Sequence, residues 1–117
     1  MTTPTDEFFE RIASQKQPLL SQLTTTMRFD VDEAHETKHW YLEINKGDIS
    51  VSHRKDAADA VVHTHHSLLD RIVTGEANTL AATLRGQLSV EGNAAALVQF
   101  QRILPGPPAK STVGALS

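Results

Sequence analysis

Gly86-Gln87-Leu88-Ser89-Val90-Glu91-Gly92-Asn93 decides how this chain is read. Leu88 and Val90 alternate with Ser89 and Glu91, as in a strand with one buried face, and a glycine stands at each end. Asn93 then opens a helical pattern, and its side chain can accept from the first unpaired amides of a helix. A second run, Lys46-Gly47-Asp48-Ile49-Ser50-Val51, shows the same alternation behind a hairpin turn, Asn45-Lys46-Gly47-Asp48, in which Gly47 can supply the positive φ.

Working outward, Met27, Phe29 and Val31 alternate with Arg28, Asp30 and Asp32, and Trp40, Leu42 and Ile44 alternate with Tyr41 and Glu43. Residues 59–64 add another strand, so five are predicted, near 27–31, 39–45, 49–53, 59–64 and 87–92. The polar stretch from Asp32 to Lys38 reads as a loop, and Arg54-Lys55-Asp56 as a charged one. Helical spacing appears at Phe8, Phe9, Ile12 and Ala13 behind an N-cap at Thr3-Pro4, and Pro18 interrupts it before Leu19, Leu20 and Leu23. It returns at Leu68, Leu69, Ile72 and Val73, with Gly75 placed to end the helix. Asn78 caps a short helix carrying Leu80, Ala81 and Leu84, and Asn93 caps the last one, with Leu97, Phe100, Ile103 and Leu104 on its apolar side. The fold class is α+β: one sheet with a helical lid.

At 117 residues the chain is long enough for one core and not two. Its 39% hydrophobic and 21% charged residues are ordinary for a globular domain. A net charge of -3 and the lack of a basic stripe argue against a nucleic-acid partner. No apolar run approaches the roughly 20 residues of a membrane span. With no cysteine, disulfides, thiol chemistry and cysteine zinc sites are excluded, and no cofactor is expected. The start of the chain lacks a secretory pattern and its end lacks a Ser-Lys-Leu address, which fits a cytoplasmic location. Pro105, Pro107 and Pro108 stop the last helix, giving a domain over residues 1–108 and a flexible tail over 109–117.

Several of these pieces form one ordered string. It runs from Trp40-Tyr41-Leu42-Glu43-Ile44 through the Lys46-Gly47 turn to Ala58-Asp59-Ala60, then a leucine-rich helix ending at Gly75-Glu76, and finally Gly86-x-Leu88-x-Val90-x-Gly92. In order and spacing, over roughly residues 19–104, this resembles the sterol carrier protein type-two family, or sterol-binding domain. The resemblance implies a five-stranded mixed sheet with helices packed on one face, enclosing an apolar tunnel. It implies binding of a sterol, fatty acid, fatty acyl-CoA or related lipid, carried or presented without catalysis. Asn93 stands where family members often have aspartate, and His63-Thr64-His65-His66 is richer in histidine than the family pattern.

The residues expected to line the cavity are Phe29, Trp40, Leu42 and Ile44 from the sheet, and Leu68, Ile72, Leu80, Leu84, Leu97 and Phe100 from the lid. Each taken singly reads better as plain core, by roughly two to one, and it is the resemblance that favours a cavity. No polar constellation is required, because shielding an acyl chain is worth about 0.8 kcal/mol per methylene. The competing reading is a small enzyme or substrate-presenting accessory factor using the His53/His63/His65 region, since three imidazoles can hold a catalytic zinc. Exposed or hydrogen-bonding histidines are the default there, and neither catalytic nor metal-ligating residues are assigned. Ser50, Ser52, Ser67 and Ser89 lie outside any nucleophile elbow, while Asp59, Glu76 and Glu91 read as solvated carboxylates. A third reading is an interaction module whose groove takes a helix or a second copy. The expected partners are a small-molecule lipid, a membrane touched transiently during exchange, and a homodimer mate. Truncation after Pro108 is expected to leave the thermal midpoint nearly unchanged, and a melting curve of the shortened chain checks this.

Overall fold

A computed structural model describes residues 3–104. Five strands, β1 (Thr24–Glu33), β2 (Glu36–Asn45), β3 (Asp48–Ser52), β4 (Ala60–His65) and β5 (Leu88–Gly92), form one sheet in the order β3-β2-β1-β4-β5. Neighbours are antiparallel except β1 and β4, which run parallel, so the sheet is mixed. Four helices accompany it: α1 (Pro4–Ser14), α2 (His66–Val73), α3 (Thr79–Leu84) and α4 (Ala94–Phe100). Single 3-10 turns at Pro18–Leu20 and Gln101–Ile103 follow α1 and α4. The α+β architecture is the one expected. Residues 105–108 and the tail over 109–117, and with them the truncation expectation, lie outside the described residues.

Sheet parity sorts the side chains. Met27, Phe29, Val31, Trp40, Leu42 and Val62 are buried on the face that the helices cover. Arg28, Asp30, Asp32, His39 and Tyr41 have the opposite parity. The connection over residues 53–59 must cross that second face, because β3 and β4 are separated by β2 and β1. Arg28 holds it there, with Nη1 donating to the carbonyls of Lys55 and Asp56 at 3.1 Å each, while the Tyr41 hydroxyl donates to the carbonyl of Ala57 at 3.3 Å.

The helix starts follow from local chemistry. Thr3 and Asp6 form a reciprocal capping box at the start of α1. Asn78 Oδ1 accepts from the Ala81 amide at 3.0 Å, and Asn93 Oδ1 from the Ala95 amide at 3.1 Å. The stretch from Asp32 to Lys38 is a correction: only Ala34-His35 turns, and the register pairs Asp32 with Thr37 and Glu33 with Glu36. Alternation reports burial, and this end of the hairpin is paired by backbone bonds without being covered on either face. Its polarity was therefore a poor guide to its conformation.

Asp59 is also different from its expected role as a solvated carboxylate. Although the residue is exposed, Oδ2 accepts from the Thr25 hydroxyl at 3.0 Å and the Thr26 amide at 3.2 Å, while its own amide donates to Thr26 Oγ1 at 2.9 Å. Its carbonyl accepts from the Asn93 amide at 2.8 Å. The Ala58-Asp59-Ala60 step thereby joins β1, β4 and the entry to α4. Gly92 sits against this corner at φ +85°, where a Cβ would collide with the Asp59 carbonyl oxygen. Gly86, at φ +75°, faces open space. Gly92→Ala is expected to lower unfolding stability by about 3 kcal/mol, through collision added to left-handed strain, whereas Gly86→Ala carries only the strain of about 1 kcal/mol. Parallel urea titrations of the two variants measure the difference.

Candidate functional site

All four phenylalanines and the single tryptophan gather on the helix side of the sheet. Phe9 stacks on Trp40 with ring centroids 4.6 Å apart, and Phe9–Phe29, Phe29–Phe100 and Phe8–Phe100 follow at 5.2, 5.4 and 6.1 Å. Lys38 lies over the Trp40 ring at 4.9 Å and pairs with Asp6 at 3.0 Å, so the first turn of α1 is tied to the strand on which Trp40 stands. Asp70 on α2 accepts from both the amide and the hydroxyl of Thr5, at 3.1 and 2.7 Å, and so joins α1 to α2.

Between these rings and α2–α4 lies an apolar cavity of about 10 Å³. Phe29, Ile72, Leu97 and Phe100 line it, together with Phe8, Phe9, Leu69, Val73 and Leu88, which the sequence reading does not assign to the site. Helical or strand spacing identified each of these five as an apolar position, but nothing in the chain said that they meet. Trp40, Leu42 and Ile44 are buried in the same core without bordering the cavity. Leu68 instead lines a separate groove with Ala81 and Ala82 of α3.

Leu80 and Leu84 are placed differently from the lid positions expected of them, at 59% and 79% exposure. On a six-residue helix the face that meets the body carries Thr79 and Ala82, and the two leucines fall on the other side. Among the described residues the apolar space between sheet and helices amounts to about 10 Å³. A void of this size holds about one water-sized sphere.

The histidines do not converge. His53 lies just past the edge strand β3, 4.5 Å from the Trp40 ring, and its Nδ1 is 2.9 Å from the His39 carbonyl. That places two strands between it and β4, which carries His63 and His65, so the three imidazoles are not gathered. His65 serves as the N-cap of α2, accepting from the Ser67 amide at 3.2 Å. His63 contacts Asp32 at 2.9 Å in an exposed pair. Among the described residues no group of three potential metal ligands forms.

The second sheet face carries a charge cluster. Asp30 receives Arg28 Nε at 2.8 Å and His39 Nδ1 at 2.7 Å, with its side chain 16% exposed. Burial opposes its ionisation, yet the hydrogen bonds from Arg28 and His39 outweigh that and hold its pKa below the usual carboxylate range. Burial likewise opposes ionisation of Asp6, and the bonds from Lys38 and Thr3 again prevail. Asp32 is held low by hydrogen bonds from His63 and Thr37.

The family model of the SCP-2 sterol transfer family matches residues 6–105, and the chain belongs to that family. Its fold is similar to that of sterol carrier protein domain 2 of Helicoverpa armigera, at 15% identity over 86% of this chain and 87% of that one, with a TM-score of 0.71. Sterol carrier protein 2 of Aedes aegypti, solved as a complex with the C16 fatty acid palmitate, is similar at 20% identity, over 90% of this chain and 97% of that one, with a TM-score of 0.70. A stereoselective inverting sec-alkylsulfatase from Pseudomonas sp. contains the fold too, at 19% identity and a TM-score of 0.72 over 85% of this chain but only 16% of the enzyme. No curated protein sequence gives a significant match. No helix among the described residues is long and apolar enough to cross a membrane.

Because Asp6, Asp30 and Asp32 have lower pKa values folded than unfolded, their ionised forms stabilise the fold above the unfolded value, near pH 4. That contribution is lost as pH falls through the folded values. The urea midpoint is therefore expected to drop below about pH 4, and Asp30→Asn is expected to flatten the drop while lowering neutral-pH stability by about 2 kcal/mol. Urea midpoints of both chains across pH check it.

Proposed function

We propose that this chain takes up the apolar part of a lipid (a sterol, fatty acid, fatty acyl-CoA or related molecule) between its sheet and α2–α4, and carries or presents it in the cytoplasm without transforming it. The observation that carries this reading is the apolar seam lined by Phe29, Ile72, Leu97 and Phe100 in a member of the SCP-2 sterol transfer family. The palmitate complex of the Aedes aegypti protein supports the same ligand class. The local hydrogen bonds of His53, His63 and His65 support carriage without chemistry.

Pockets for ligands of this size occupy about 300–1,000 Å³, against about 10 Å³ in the seam. Capture therefore requires the lid to separate from the sheet. The lid helices suit that role, having 8, 6 and 7 residues, well short of the roughly 12–15 at which a helix becomes stable alone. Burial of each methylene contributes about 0.8 kcal/mol, which offsets the apolar contacts broken on opening. Exposed Leu80 and Leu84 support transient membrane contact during exchange, with a second copy of the chain as the rival occupant of that edge.

Wild type is expected to bind a fluorescent fatty-acyl probe at micromolar Kd or tighter, about −8 kcal/mol. Leu97→Phe adds volume inside the seam and is expected to weaken capture by about tenfold while the chain still folds. Leu84→Trp, on the outer surface, is expected to change neither capture nor melting, and His63→Gln with His65→Gln should leave capture intact. Probe titration alongside circular-dichroism melting reads all three variants. Loss of capture in the folded histidine variant would move the site to β4. Amide exchange should also be faster in α3 and α4 than in β1 and β2 and should slow on palmitate addition, as hydrogen-exchange mass spectrometry can measure.

A further inference from the structure

Of the four helices, α3 is the least tied to the body. Lys38 with Asp6 holds α1 to β2, and Asp70 with Thr5 holds α1 and α2 to each other. α4 buries Leu97 and Phe100, and the Asn93 amide at its start donates to the Asp59 carbonyl at 2.8 Å. α3 has neither kind of anchor. Its buried residues are Thr79 and Ala82, both small, so no large side chain of this helix reaches into the core. Among the described residues, 78–86 hydrogen-bond to one another, except that the Ala82 carbonyl accepts from the Gln87 amide at 2.9 Å. None of them takes part in an ion pair there.

The two ends of this segment are fixed. The amides of Glu76 and Ala77 donate to the Arg71 carbonyl at 2.7 and 3.0 Å, which fastens its start to α2. The Gln87 carbonyl accepts from the Thr64 hydroxyl at 3.1 Å, which fastens its end to β4. Gly86 stands just inside that second anchor, and the space beside its Cα is empty, so a rotation there meets no neighbour. Empty space also flanks the helix. Thr79 borders both the seam and a space of about 70 Å³ shared with Ile72, Gln101 and Leu104. Ala81 and Ala82 border a groove of about 220 Å³, with Leu68 and Arg71 on its other wall. A helix with fixed ends, small inward side chains and open flanks can swing as one piece and lose few contacts. We infer that residues 78–86 are the gate of the seam: they turn outward about Asn78 and Gly86, and the apolar chain passes between Thr79 and the Ile72–Leu104 side while α2 and α4 stay in place. The inference rests on the carrier reading above and assigns to one segment the opening that the reading requires.

Because the chain has no cysteine, a reducible link can be placed at a chosen pair of positions. Arg71→Cys with Ala81→Cys, on the two walls of the groove, joined by a short bis-thiosulfonate reagent, bolts α3 to α2. Lys16→Cys with Asp48→Cys, which replaces an exposed ion pair outside the lid, carries the same link as a control. Melting curves establish that both linked chains are folded, and stopped-flow fluorescence reads entry and release of the fatty-acyl probe. The bolt is expected to slow entry by at least about tenfold and, when closed after loading, to slow release by a similar factor. Reduction should restore both rates, and the control link should alter neither. Unchanged rates in the bolted chain, or equal slowing by the control link, would overturn the inference while leaving the carrier reading in place. Slow entry with unchanged release would overturn it too, since the link would then only reshape the empty site. In wild type without ligand, amide exchange within residues 79–84 is expected to be at least about tenfold faster than in α2 and α4, and equal exchange would likewise overturn the gate. Failure of wild type to capture the probe at all would overturn the carrier reading and this inference together.

Discussion

The stack of Phe9 on Trp40 is the contact on which the remaining packing depends. It fixes α1 across the sheet, and from Phe9 the rings of Phe29, Phe100 and Phe8 extend the contact to β1 and α4. A domain of this size buries a modest fraction of its surface, so a few large rings carry a disproportionate share of its apolar stabilisation. The polar ties are arranged around the stack: Lys38 with Asp6 on one side, and Asp70 with Thr5 on the other. Each joins the beginning of α1 to a different element, so the helix is held by its first turn as well as by its apolar stripe.

That arrangement divides the molecule into a stiff part and a yielding one. β1 and β2 pair over ten residues each, and β1 is hydrogen-bonded on both edges. The lid helices are single short segments, ended by glycines or 3-10 turns and held chiefly by side chains facing the seam. A carrier whose interior is nearly closed at rest needs this contrast. In the proposed capture the sheet would preserve the shape of the site while the lid accommodates the ligand.

The strands were legible because one face of the sheet is wet and the other dry, which writes burial into the sequence as alternation: Leu88 and Val90 in, Ser89 and Glu91 out. The helix caps at Thr3, Asn78 and Asn93 were legible because capping is a local interaction. What escaped was tertiary. Leu80 and Leu84 look like a lid face, yet six residues are too few for periodicity to say which side of a helix meets the body, and small Thr79 and Ala82 do so. Asp59 is an unremarkable carboxylate in the sequence, and only the meeting of β1, β4 and α4 gives it partners. Phe8 and Phe9 were readable as one side of a helix, but their place along the apolar seam depends on how α1 crosses the sheet. The Gly86-x-Leu88-x-Val90-x-Gly92 string combined both kinds of information. Its alternation is local, whereas its second glycine answers to the backbone of Asp59.

Among the described residues the sheet remains open, with β3 and β5 paired along one edge only. Both are five residues long, so each leaves a free ladder of roughly 17 Å. The exposed positions of β3 include Asp48 and Ser50, and those of β5 include Ser89 and Glu91. Short borders bearing hydroxyls and carboxylates make poor templates for another strand. Opening of the lid, as proposed, would therefore offer no long unpaired strand on which a neighbouring molecule could begin a continuous sheet.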